Sequence, residues 1–122
     1  MSTPPQGNLP TAPTIPLPDA VRAAYQDLYA KLETAIENTT DPAALEALNA
    51  AQLNVDNTLT KDNMYRLQAN TELFQALLQQ INDTNSGLKT LQEQIAAIAS
   101  HFATAADIIA AINKVLTLVP GA

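Results

Sequence analysis

Large apolar residues recur at Leu88, Leu91, Ile95, Ile98, Phe102, Ile109, Ile112, Leu116 and Val119, with Ala105 in the one gap. The steps alternate between three and four, which places all of them on one stripe of an α-helix. A helix over Leu88–Leu118 would be about 46 Å long. A stripe of that length cannot stand bare in water and needs at least one partner helix. The spacing therefore predicts the spine of a helical bundle.

The segments upstream supply partners. Asp19 is placed to cap a first helix, in which Val21, Tyr25, Leu28, Leu32 and Ile36 share a face. Asp27 and Lys31 form an i, i+4 pair in the favoured order, and Asn38, Thr39 and Thr40 end the helix. Asp41–Pro42 opens a second helix, with aspartate as cap and proline at the first helical position. Its apolar line runs through Leu45, Leu48, Val55, Leu59, Leu67, Phe74, Leu77, Leu78 and Ile81. Leu45 and Ile81 lie 36 residues apart, which is about ten turns. The face returns in phase and predicts one helix from Pro42 to about Asp83, roughly 63 Å long.

Against continuity stands Asn54–Asn63, rich in Asn, Asp and Thr. Those residues cost on the order of 3–4 kcal/mol of helix propensity relative to alanine. Thr58, Thr60 or Asp62 could cap a new helix, so the alternative is four helices with a break near Asp56–Asp62. Asn82–Gly87 reads as the clearest turn in the chain. Pro120–Gly121 stops the last helix. The expected fold is all-α: an antiparallel up-down-up bundle of three long helices over 19–119, or of four. In the unbroken version the first helix is too short to cover the second. The end carrying Phe74, Leu78, Ile81, Leu88 and Leu91 then needs a cover, which either the leader or a second copy of the chain supplies.

Six prolines fall within Met1–Pro18 and preclude a helix there. The segment reads as a disordered or extended leader, with Leu9, Ile15 and Leu17 available to lie against the bundle. Read more sharply, it is a docking peptide or an export leader. Met1–Pro10 carries no positive charge and no apolar run, so no Sec signal is expected. The chain is expected to be cytoplasmic, or exported by a route that leaves no cleavable signal.

Composition restricts function mainly by exclusion. The six basic residues, Arg22, Lys31, Lys61, Arg66, Lys89 and Lys114, are scattered through a chain of net charge −6. No cluster of them tracks a phosphate backbone, which argues against nucleic acid and against an anionic membrane surface. There is no cysteine, hence no disulfide, thiolate ligand or cysteine nucleophile. His101 has Ala97, Ile98, Thr104 and Ala105 at the helical ligand spacings, so it reads as a boundary histidine rather than a metal ligand. Ser100 beside it points elsewhere on a helix and makes no catalytic pair. Asp56–Asp62 fails as a calcium loop, because Lys61 takes the glycine place and Leu67 the glutamate place. Glu33 and Glu37 form a solvated face. No catalytic, metal or cofactor residue is expected. Tyr25 lies on the core stripe with Tyr29 beside it. Met64, Tyr65 and Arg66 are the candidate partner contact, since tyrosine and arginine are favoured at interfaces. The competing reading is that Met64 and Tyr65 finish the core.

The Pro4–Pro18 leader, the Asp41–Pro42 helix start and the alanine-rich last helix ending Leu118-Val119-Pro120-Gly121 resemble small uncharacterised Burkholderia-type proteins described as antigens. That resemblance implies a bacterial helical bundle and carries over no site residue. Two function classes have a sequence feature behind them; a third, an enzyme whose site forms between subunits, has none. One is a non-enzymatic bundle acting through protein contacts, as an adaptor, a subunit or an exported antigen, with a protein partner or a second copy. The other is a membrane-active or pore-forming component using the alanine-rich helix Ile95–Val119.

Overall fold

The computed structural model describes residues 15–98 and 105–118. They form four helices, α1 (Asp19–Asn38), α2 (Pro42–Leu67), α3 (Thr71–Ile98) and α4 (Ala105–Leu118), and no strand. The fold is all-α, as the periodicity predicts. The helix directions follow from hydrogen bonds between neighbours. Arg22 meets Asp62, and Glu33 meets Gln52, so α1 and α2 run in opposite directions. Thr58 meets Thr84, and Lys61 meets Gln80, so α2 and α3 do the same. α4 packs on both α1 and α3 and closes the ring. With Gln92 paired to Asn113 and so short a link between Ile98 and Ala105, α4 runs against α3, and the result is an up-down-up-down bundle of four.

The first half is legible locally. Asp41 caps α2 by accepting from the Ala44 amide at 2.9 Å, with Pro42 in the first turn. Lys31 donates to Asp27 at 2.9 Å. Asp19 sits in the first turn of α1 rather than at its cap, which Pro18 occupies.

The second half departs from the expected boundaries. The long second helix is interrupted, but at residues 68–70 and not at Asp56–Asp62. Asn70 accepts from the Leu73 amide at 2.8 Å, which caps the new helix. Of the apolar line across this link, Leu48, Val55, Leu77 and Ile81 are buried, but the buried face of α2 is not the one that line predicts. That face is Ala44, Leu48, Ala51, Val55, Thr58 and Asp62. Leu45 and Leu59 lie half-buried, and Leu67 is 88% exposed. Asn54–Asn63 stays helical because Thr58 and Asp62 point inward and find partners there.

Asn82–Gly87 is helix rather than turn. Its polar side chains bond across the bundle instead of bending their own backbone. Thr84 bonds Thr58 at 2.8 Å and the Asn54 carbonyl at 3.1 Å. Tyr25, wholly buried, donates to Asn85 at 2.8 Å across the ring. Tertiary hydrogen bonding thus overrides local turn preference.

The single spine Leu88–Leu118 is also corrected. Gln92 donates to Asn113 at 2.6 Å, whereas in one helix they would stand about 31 Å apart. The stripe is therefore two faces. Leu88, Leu91 and Ile95 are buried on α3, and Ala105, Ile108, Ala111, Ile112 and Val115 on α4. Ile109 and Leu116 flank the second face. A rod of 46 Å would have overrun α1, which has only 20 residues. Folding back lets α4 pack on α1, with Ala105 and Ile112 of the stripe buried beside Ile108, Ala111 and Val115, which the stripe did not include. Phe102, Val119, His101, Ser100, the Pro120–Gly121 stop and the leader up to Thr14 lie outside the described residues.

Gly87 faces α2, and a Cβ there would lie 3.4 Å from the Asn54 side-chain nitrogen. That contact is ordinary and the amide can shift, so helix propensity should dominate. Gly87→Ala is expected to stabilise the bundle by about 0.5–1 kcal/mol in urea titration. Tyr25→Phe removes the hydroxyl that satisfies Asn85 and should destabilise it by about 1–3 kcal/mol in the same assay.

Candidate functional site at the hairpin end

α1 begins three residues before Arg22, which is level with Asp62. The last turn of α2 and the first turns of α3 therefore project past α1. α4, as far as Leu118, reaches about the level of Gly87, reckoning from the Gln92–Asn113 pair. The α2–α3 hairpin thus forms an end of its own.

Asp62 organises this end. Its side chain has no solvent exposure. It accepts from the Leu17 amide at 2.8 Å, from Arg66 Nε at 2.8 Å and from Arg22. Arg66 also donates to the Leu17 carbonyl. Leu17 is thereby held by both of its backbone polar groups, and its side chain is 2% exposed within the core. Burial pushes the Asp62 carboxyl up. The hydrogen bonds from Arg66, the Leu17 amide and Arg22, with the Arg66 charge, outweigh that and hold it below its usual value of 3.8.

Beyond the clasp the surface becomes apolar. Met64 is 46% and Leu67 88% exposed. Tyr65 and Phe74 meet edge to face with centroids 6.1 Å apart. A hollow of about 300 Å³ lies between Tyr65, Ala69, Asn70, Thr71 and Phe74. A second groove, of about 410 Å³, runs between α2 and α3 along Ala43, Ala47, Ala50, Gly87 and Thr90. No group of three His, Cys, Asp or Glu among the described residues is arranged to hold a metal.

The three residues singled out in the sequence part company. Met64 points to solvent, Tyr65 is half-buried against Phe74, and Arg66 turns back to Asp62 and Leu17. Sequence reasoning missed Asp62, Arg22 and Leu17 as one unit. The available signal was the 4-3-4-3-4 spacing from Ala44 to Asp62, which carries a carboxylate onto the buried face. Of the leader residues named as able to lie on the bundle, Ile15 packs on the core and Leu17 enters it, while Leu9 lies outside the described residues.

The fold and its end-on clasp define a four-helix bundle with a short extended strap. No protein-family model, curated protein or solved structure matches the chain.

Asp62→Asn should destabilise the protein by about 2 kcal/mol near neutral pH. That is at the low end for a buried ion pair, since Arg22 and Arg66 are 22% and 38% exposed and can turn to water. The native carboxyl is depressed, so its stabilisation is complete above the unfolded value and fades as pH falls through the native one. Denaturation curves of the two proteins should accordingly converge below about pH 4.

Proposed function

We propose that this protein is a non-enzymatic helical bundle that acts through protein contacts made by the free end of the α2–α3 hairpin. The observation that carries this reading is the projecting apolar surface of Met64, Leu67, Tyr65 and Phe74. Soluble domains seldom leave large aliphatic side chains together at a tip unless something covers them. The adjoining Tyr65 is a residue type favoured at binding hot spots. An adaptor, a subunit of a larger assembly or an exported antigen of the bacterial kind resembled would each use such a surface. Pore formation by α4 would demand more rearrangement. Ile108, Ile112 and Val115 have no exposure in the bundle, and no helix among the described residues is long and apolar enough to cross a membrane.

The reading is tested with a photo-crosslinking residue at position 67 in the full chain, expressed in the native organism. A discrete protein adduct is expected, weakened several-fold by Met64→Glu, with none from the same probe at position 37 on the opposite end. Equal labelling from both positions, or no adduct at 67 together with a strictly monomeric chain in sedimentation, would remove the hairpin end from consideration.

A further inference from the structure

The clasp at Asp62 has the chemistry of a peptide-binding site. It receives an extended segment, accepts that segment's amide on a buried carboxylate, donates to its carbonyl from an arginine, and buries the intervening aliphatic side chain. Both polar contacts are to main chain, so the clasp reads backbone direction and one apolar side chain and is indifferent to the rest. Pro16 and Pro18 flank Leu17 and are both exposed. Pro18 is extended, whereas the chain bends at Ile15 and Pro16, and neither proline spends its ring surface on the slot.

We infer that the slot formed by Asp62, Arg66 and Arg22 binds an extended peptide with a large aliphatic residue between prolines, supplied by a partner protein, and that the chain's own Ile15–Pro18 is its intramolecular occupant. The occupant on view fixes the chemistry of any competitor: an unmodified amide and carbonyl on either side of a leucine-sized side chain. Attachment is through Pro18 directly at the start of α1, where the Arg22 amide bonds the Pro18 carbonyl at 2.9 Å. The strap can therefore leave by rotation ahead of Pro18 while α1 stays folded. Its tether gives it a high effective concentration, so a free peptide competes poorly until the strap is weakened. The proposal stands apart from the hairpin-tip contact, because the slot uses none of Met64, Leu67 or Phe74.

The test uses the full chain. A fluorescent peptide with the sequence of residues 11–18 is titrated onto the wild type and onto Leu17→Asp, which sets a charge against Asp62 and expels the strap. Binding to Leu17→Asp is expected to be at least about tenfold tighter than to the wild type, an effect of the removed intramolecular competitor. It should vanish when the peptide itself carries the aspartate, or when Asp62→Asn is added. A Leu17→Asp protein with native circular dichroism that binds no tighter than the wild type overturns the proposal. Should that variant unfold, hydrogen exchange on the wild type decides. Excess peptide should speed exchange at the Leu17 amide several-fold and leave α1 beyond Arg22 unchanged; an unaffected Leu17 amide overturns it. A wild-type dimer that the peptide dissolves would replace the partner protein by the leader of a second copy, and so overturns the assignment made here. A tip variant such as Met64→Glu should bind the peptide as the parent does, which separates failure of this inference from failure of the hairpin contact.

Discussion

One buried carboxylate ties three parts of the chain together. Asp62 holds the strap through the Leu17 amide, α1 through Arg22 and its own helix through Arg66. A lone charge cut off from water would be strongly unfavourable, so these partners are a condition for its being there at all. The consequence reaches the hydrophobic core. Leu17 can shield the end of the bundle only because its backbone polar groups are satisfied by Asp62 and Arg66. Without that satisfaction an extended segment would remain in solvent, and the α1 end of the core would be open.

A second set of polar contacts fixes how α3 lies against α2 and α1. The core contains much alanine, and small side chains alone discriminate weakly between registers. Thr58 with Thr84, Thr84 with the Asn54 carbonyl, and Tyr25 with Asn85 are satisfied in one alignment. Displacing α3 by one turn would leave several of these groups buried and unpaired, at about 1–3 kcal/mol each. The layer is not complete, since the Asn85 side-chain nitrogen has no partner among the described residues. Whichever way that amide is turned, Tyr25 can satisfy only one of its two ends. Burial keeps the Tyr25 hydroxyl well above the usual tyrosine range, so it remains protonated and able to donate.

The two ends of the bundle differ in what they offer. At the α1–α2 turn, the short link and the Asp41 cap close the chain on itself. At the α2–α3 turn, the hairpin outruns its neighbours and carries large apolar side chains into solvent. Strap and tip adjoin there, joined through Arg66, which lies between Tyr65 and Leu67 and faces the clasp.

Much of this architecture could be read locally. The 3–4 spacing made the described residues helical, Asp41–Pro42 marked a helix start, and Pro16 and Pro18 kept residues 15–18 out of the helices while leaving Leu17 free to dock. These signals act within a few residues, where backbone sterics and side-chain direction decide the outcome. The link at residues 68–70 was legible in principle, because Asn70 precedes Thr71-Glu72 as a cap should. It was masked by an apolar line that kept its phase across the break. What the sequence could not decide is where polar side chains go. Thr58, Asp62, Thr84 and Asn85 look like surface or turn residues by type, and only their partners on other helices make burial favourable. The reversal that turned one apolar stripe into the faces of α3 and α4 was equally a tertiary decision. Periodicity specifies which side of a helix is apolar, whereas the length of the neighbouring α1 determines how much of that side can be covered before the chain must fold back.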